Sequence, residues 1–97
     1  MKRPVFSFVA PRGVNPKTVS PEEAKAHTAV AMQIAQDLQE VYLAICAVPG
    51  SEELYKPNLR EIGKRAPVAG VRVVEPDWFR NLYHEAQKAP PVAVVKT

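Results

Sequence analysis

Residues 20–50 read SPEEAKAHTAVAMQIAQDLQEVYLAICAVPG, and this stretch decides the fold. Ser20 fits an N-cap. Pro21 takes the first helical position, where a missing N–H costs nothing, and Glu23 three residues after the cap completes a capping box. No glycine or proline follows until Pro49-Gly50. Ala24, His27, Ala31, Ile34, Leu38, Val41, Ile45 and Val48 recur at alternating steps of three and four. That spacing draws one apolar seam along a helix of about seven turns. Taken alone, Val41–Val48 has the composition of a buried strand. A strand there needs a helix stop within Gln36-Asp37-Leu38-Gln39-Glu40, and none of those residues breaks a helix. The reading is therefore one uninterrupted helix over residues 21–48.

Upstream, Val5–Ala10 reads as a strand with Phe6 and Phe8 on one face, followed by the turn formers Pro11-Arg12-Gly13-Val14-Asn15-Pro16. Downstream, Pro49-Gly50 ends the helix and Ser51-Glu52-Glu53 resembles a second N-cap. Pro57 divides a short turn from a helix near 58–65, with Leu59 and Ile62 inward. Val68–Val74 reads as a strand with Arg72 on its solvated face. A further helix runs from Pro76-Asp77 to about Lys88, with Trp78, Phe79, Leu82, Tyr83 and Ala86 as its buried stripe. Pro90-Pro91 stops it, and Val92–Val95 reads as a last short strand. The expected fold is α+β in the order β-α-α-β-α-β, with a small sheet of about three strands. Residues 1–97 form one domain in this reading, and residues 1–20 are a basic, proline-rich strand and arm.

Composition narrows the function classes. Apolar residues make up 46% and charged residues 24% of the 97, which is ordinary for a globular chain. The net charge of +3 is unevenly spread: residues 1–21 carry Lys2, Arg3, Arg12 and Lys17 without an acid, and residues 22–53 are acidic. Lys56, Arg60, Lys64 and Arg65 then form a second basic cluster around Glu61. Cys46 is the one cysteine, so no internal disulfide forms and nothing asks for an oxidising compartment. Met1-Lys2-Arg3 imitates the start of a signal peptide, but the apolar stretch behind it ends too soon, at Pro11. No run reaches the length that crosses a bilayer. The expected location is the cytoplasm, without membrane contact.

Chemistry finds little support. Glu23 and His27 stand one helical turn apart, yet a metal site needs more ligands than this pair, Cys46 and His84 supply at recognisable spacing. Cys46 lies in an apolar run, which raises a thiol's pKa and quenches its reactivity. The acidic pairs Glu22/Glu23 and Glu52/Glu53 sit at helix starts, where the macrodipole accounts for them. The four glycines are isolated and form no phosphate loop. The sequence thus calls for no catalytic residue, no metal and no cofactor, and the protein reads as a non-enzyme.

Two binding classes remain. A helix apolar on all sides is buried on all sides. Unless the chain's own strands wrap this half fully, the segment Val41–Val48 implies a protein partner or a homo-oligomer, docking through Val41, Tyr42, Leu43 and Ile45 as part of a larger complex. The alternative is a small nucleic-acid-binding accessory protein using Lys2, Arg3, Arg12, Arg60, Lys64, Arg65 and Arg80. Leu59–Ala66 resembles the first helix of a helix-turn-helix unit, but Pro67 and a β-rich stretch follow where the recognition helix belongs.

Overall fold

The computed structural model describes residues 3–88. Strand β1 (Val5–Phe8) leads through an irregular arm to helix α1 (Pro21–Ala47); a 3-10 turn (Glu52–Tyr55) then precedes helix α2 (Lys56–Ala69), strand β2 (Val71–Glu75) and helix α3 (Asp77–Lys88). The fold is α+β. The sheet has two antiparallel strands among the described residues. The expected third strand, Val92–Val95, lies outside them.

The capping box at the start of α1 is formed as its residues imply. The Glu23 amide donates to Ser20 Oγ at 3.1 Å, and the Ser20 amide donates to the Glu23 carboxylate at 3.3 Å. The helix then runs unbroken through Gln36–Glu40. Ala31, Ile34, Leu38, Val41 and Ile45 of the seam are buried against the rest of the chain. The two ends of the seam are not: Ala24 and His27 are half-buried and Val48 is exposed.

Three local expectations are corrected. Ser51 does not cap the segment after it; its hydroxyl turns back and donates to the Val48 carbonyl at 2.6 Å, satisfying an orphan acceptor at the end of α1. Helix α2 does not end near 65, and Pro67 does not stop it. The proline stands in the last turn, where its ring forfeits a single ladder bond, and the helix continues over Val68 and Ala69. The stop is Gly70, whose φ of 81° is left-handed, so β2 starts at Val71 instead of Val68. Trp78 is not part of the buried stripe of α3. It is 41% exposed, while Phe79, Leu82, Tyr83 and Ala86 face inward at the i, i+3, i+4, i+7 spacing.

The core collects Leu38, Tyr42 and Ile45 of α1, Leu59, Ile62 and Ala66 of α2, Val71 and Val73 of β2, and Phe79 and Leu82 of α3. Helices α2 and α3 approach closely at Gly63, where a Cβ would meet the Gln87 side chain. Gln87 Nε2 donates to the Leu59 carbonyl at 2.7 Å across that contact. The molecule is thin, 46 × 40 × 17 Å. A thickness of 17 Å holds two layers of elements, so α1 always keeps one face toward solvent.

Tyr42 and Tyr83 are both about one-twentieth exposed. Burial pushes both hydroxyls above the ordinary tyrosine pKa of 10.0, and for Tyr42 the neighbouring Cys46 adds to the rise. The unfolded chain then releases these protons at a lower pH than the folded one. Their contribution is complete below about pH 10 and is lost as the pH climbs toward the folded values. The urea midpoint is therefore expected to fall between about pH 9.5 and about pH 11. A midpoint that stays level across that window would show the two phenols to be hydrated in the native state.

Candidate interaction surface

The N-terminal half of α1 is where the fold runs short of cover. Helices α2 and α3 and strand β2 converge on the stretch from Ala31 to Ile45. Only the arm after β1 reaches further toward the helix start. It is pinned by its backbone: the Val9 amide donates to the Gly70 carbonyl and the Arg12 amide to the Val68 carbonyl, both at 2.8 Å. The Gly70 site explains the close approach, since a Cβ there would strike the Val9 carbonyl oxygen.

The arm leaves a groove on either side. One, of about 340 Å³, lies between the arm and one flank of α1 and is lined by Phe8, Val9, Pro11, Ala24, Thr28 and Met32 among others. The second, of about 690 Å³, lies between the arm, α1 and the end of α2, with Val14, Val30, Ile34 and Val68 as its apolar lining and Arg12, Lys64 and Arg65 beside them. Pro11, Val14, His27 and Ala69 line both grooves. Phe8, Val9, Val30, Met32 and Val68 are each about half exposed. Apolar groups concentrated along one stretch of surface are the usual mark of a docking face.

The residues singled out in the sequence are scattered relative to this face. Val41, Tyr42 and Ile45 are 8%, 5% and 2% exposed, buried inside the chain itself. Tyr42 packs face to face with Trp78 at 5.3 Å and edge-on against Phe79 at 5.3 Å. Of that set, Leu43 alone faces solvent, at 38%. The segment 41–48 is thus two-sided: α3 supplies the aromatic cover that the sequence reading left to a partner. What that reading missed is Val30 and Met32. They lie off the seam, and their exposure follows from where α2 and α3 stop.

The basic residues divide in the same way. Arg12, Lys64 and Arg65 meet at one groove, although Lys64 pairs with Glu61 at 3.1 Å and Arg65 with Asp37 at 3.6 Å. Such exposed pairs are weak and exchange readily for other partners. Arg60 is turned inward, its Nε donating to the Ala86 carbonyl at 3.1 Å. Arg80 is held by Asp77 at 3.3 Å and the Val74 carbonyl at 3.5 Å. Arg3 is exposed, and Lys2 lies outside the described residues. The Glu23 carboxylate accepts the Ser20 amide in the capping box. Among the described residues no three His, Cys, Asp or Glu side chains converge to hold an ion. Cys46 is half-buried beside Tyr42, less enclosed than its apolar run implies.

No protein-family model matches the chain, and comparisons with curated proteins and with solved structures return no match. Among the described residues, no helix is long and apolar enough to cross a membrane.

Proposed function

We propose that this protein is a non-enzymatic interaction module, a small subunit, adaptor or inhibitor that docks onto a protein partner through its long helix. The observation that carries this reading is the uncovered N-terminal half of α1, where Val30 and Met32 stand 53% and 58% exposed beside the grooves flanking the arm. Each large apolar side chain left in water forgoes roughly 1.5–3 kcal/mol of burial, and a partner's surface recovers it. A single unpaired cysteine and the lack of a membrane-spanning helix among the described residues suit work in the cytoplasm.

Co-purification of the full chain from the cells that make it tests the reading. A stoichiometric partner is expected to remain bound in high salt, as apolar contacts do. Val30→Glu with Met32→Glu is expected to release it, at least about a hundredfold weaker if two central contacts are lost, while the circular dichroism of the chain stays unchanged. A partner retained by the doubly substituted chain would remove α1 as the docking element.

A second reading is favoured by the meeting of Arg12, Lys64 and Arg65 at one groove, and it makes the protein a nucleic-acid-binding accessory. Counterion release then governs affinity: binding to a short duplex falls steeply with added salt, and Lys64→Ala lowers the slope of that dependence by about one. Duplex binding that is negligible at physiological salt removes this reading and leaves the first standing.

A further inference from the structure

We propose that strand β1 pairs with β1 of a second copy of this chain, joining two two-stranded sheets into one across a twofold axis. The proposal rests on the interaction reading above and names one partner for the β1 side of that surface.

The argument starts from the backbone. In an antiparallel ladder, alternate residues direct both N–H and C=O to the same side. Val9 directs its amide toward Gly70 on the β2 side, and Ser7 lies opposite Arg72 in the same phase. Phe6 and Phe8 therefore direct their amides and carbonyls to the outer edge, which no strand covers among the described residues. An edge of this kind is a template for another chain, and proteins that avoid such pairing place lysine or proline within the strand. Val5-Phe6-Ser7-Phe8 contains neither, and no charge.

The side chains favour a second copy over an arbitrary strand. Antiparallel pairing centred on Ser7 brings Phe6 opposite Phe8 of the partner copy and Val5 opposite Val9 of that copy. In this register the outward backbone groups of Phe6 and Phe8 meet as hydrogen-bonded pairs. Val5, Phe8 and Val9, exposed at 47%, 50% and 54%, each gain an apolar neighbour at cross-strand distance. Phe6 and Phe8 already touch edge to face with centroids 6.4 Å apart, so the twofold axis doubles an existing aromatic contact. No like charges oppose each other within the paired strands. Half of Phe8 is about 100 Å² in each copy. With Val5 and Val9 the pairing gathers roughly 500 Å² of exposed apolar surface over both copies, below the range of stable interfaces. That area fits a dimer that dissociates on dilution.

The test uses the full chain. Sedimentation across a micromolar to millimolar series is expected to show the mass doubling. Hydrogen exchange at the Phe6 and Phe8 amides should slow in step, while the Val9 amide, bonded within the chain, stays protected throughout. Phe8→Pro removes one outward donor and no internal bond, and is expected to keep the chain monomeric at the highest concentration with its circular dichroism intact. Val9→Lys, which leaves the backbone untouched, should weaken association about tenfold, because the axis repeats the change at both ends of the pairing. A chain that stays monomeric across the series overturns the proposal. So does a dimer in which exchange at Phe6 and Phe8 ignores concentration, since its contact is elsewhere. Neither result touches the wider interaction reading, which falls only with the α1 substitutions described above.

Discussion

Replacing Gly70 with alanine is expected to lower the melting temperature by roughly 15 °C or more. Two costs combine. A side chain at the left-handed φ of 81° costs roughly 1–2 kcal/mol in any surroundings. The added Cβ also collides with the Val9 carbonyl oxygen and comes within 3.0 Å of the Ala10 carbonyl oxygen, both backbone atoms without room to rotate away. The arm must then lift, and the hydrogen bonds from Val9 and Arg12 that hold it to the end of α2 go with it. A total of about 3 kcal/mol or more follows, at about 4–8 °C per kcal/mol for a domain of this size. Gly50 supplies the control. Its φ of 90° is equally left-handed, but a Cβ there meets nothing within 4 Å, so Gly50→Ala should show the conformational cost alone. Equal losses at the two glycines would mean that the arm does not rest on Gly70 in solution, and the grooves beside it would lose their outer wall.

Phe79→Ala is expected to cost about 3–5 kcal/mol in denaturant unfolding, the range for emptying a fully enclosed aromatic site. Phe79 has no solvent exposure and touches both Tyr42 and Trp78, at centroid distances of 5.3 and 5.6 Å. It is the fully enclosed one of the two α3 residues, with Trp78, that pack on Tyr42 of α1. Trp78→Ala should cost markedly less despite the larger ring, because two-fifths of that residue's surface is already in water. The reverse order would show that Trp78, and not Phe79, is the enclosed member of the pair. The apolar half of α1 would then be covered differently from the way described here.

These substitutions also separate what was legible in the residue order from what was not. The start, length and continuity of α1 are local matters. Ser20, Pro21 and Glu23 satisfy one another within a single turn, and the three-four seam needs nothing beyond the helix's own period. The α+β class, the inward face of α3 from Phe79 to Ala86 and the shared face of Phe6 and Phe8 come from the same kind of evidence, side-chain periodicity within one element. Helix α2 reads too short, ending near 65, because the valine-rich run beyond Pro67 has strand composition from Val68 onward. The real cost of the proline depends on how many ladder bonds remain to be lost, and in a last turn closed by Gly70 it is small.

By itself, then, the sequence determined the α+β class, the extent of α1 and the inward stripe of α3 from Phe79 to Ala86, since these depend on backbone propensity and on periods of two and 3.6 residues. Only the tertiary structure decided which apolar faces stay uncovered. Val41, Tyr42 and Ile45 look unpartnered along the chain and are enclosed by elements that follow later: α3 brings Phe79 and Trp78 across Tyr42, and α2 packs along the helix beside Val41. Val30 and Met32 look unremarkable along the chain and stand exposed because the arm is too narrow to cover the part of α1 that α2 and α3 do not reach. Arg12, Lys64 and Arg65 meet for the same reason, through a hydrogen bond from Arg12 to Val68 that joins the arm to the end of α2. Burial is a property of what lies opposite a side chain, and contacts between elements distant in sequence leave no trace in the period of either one.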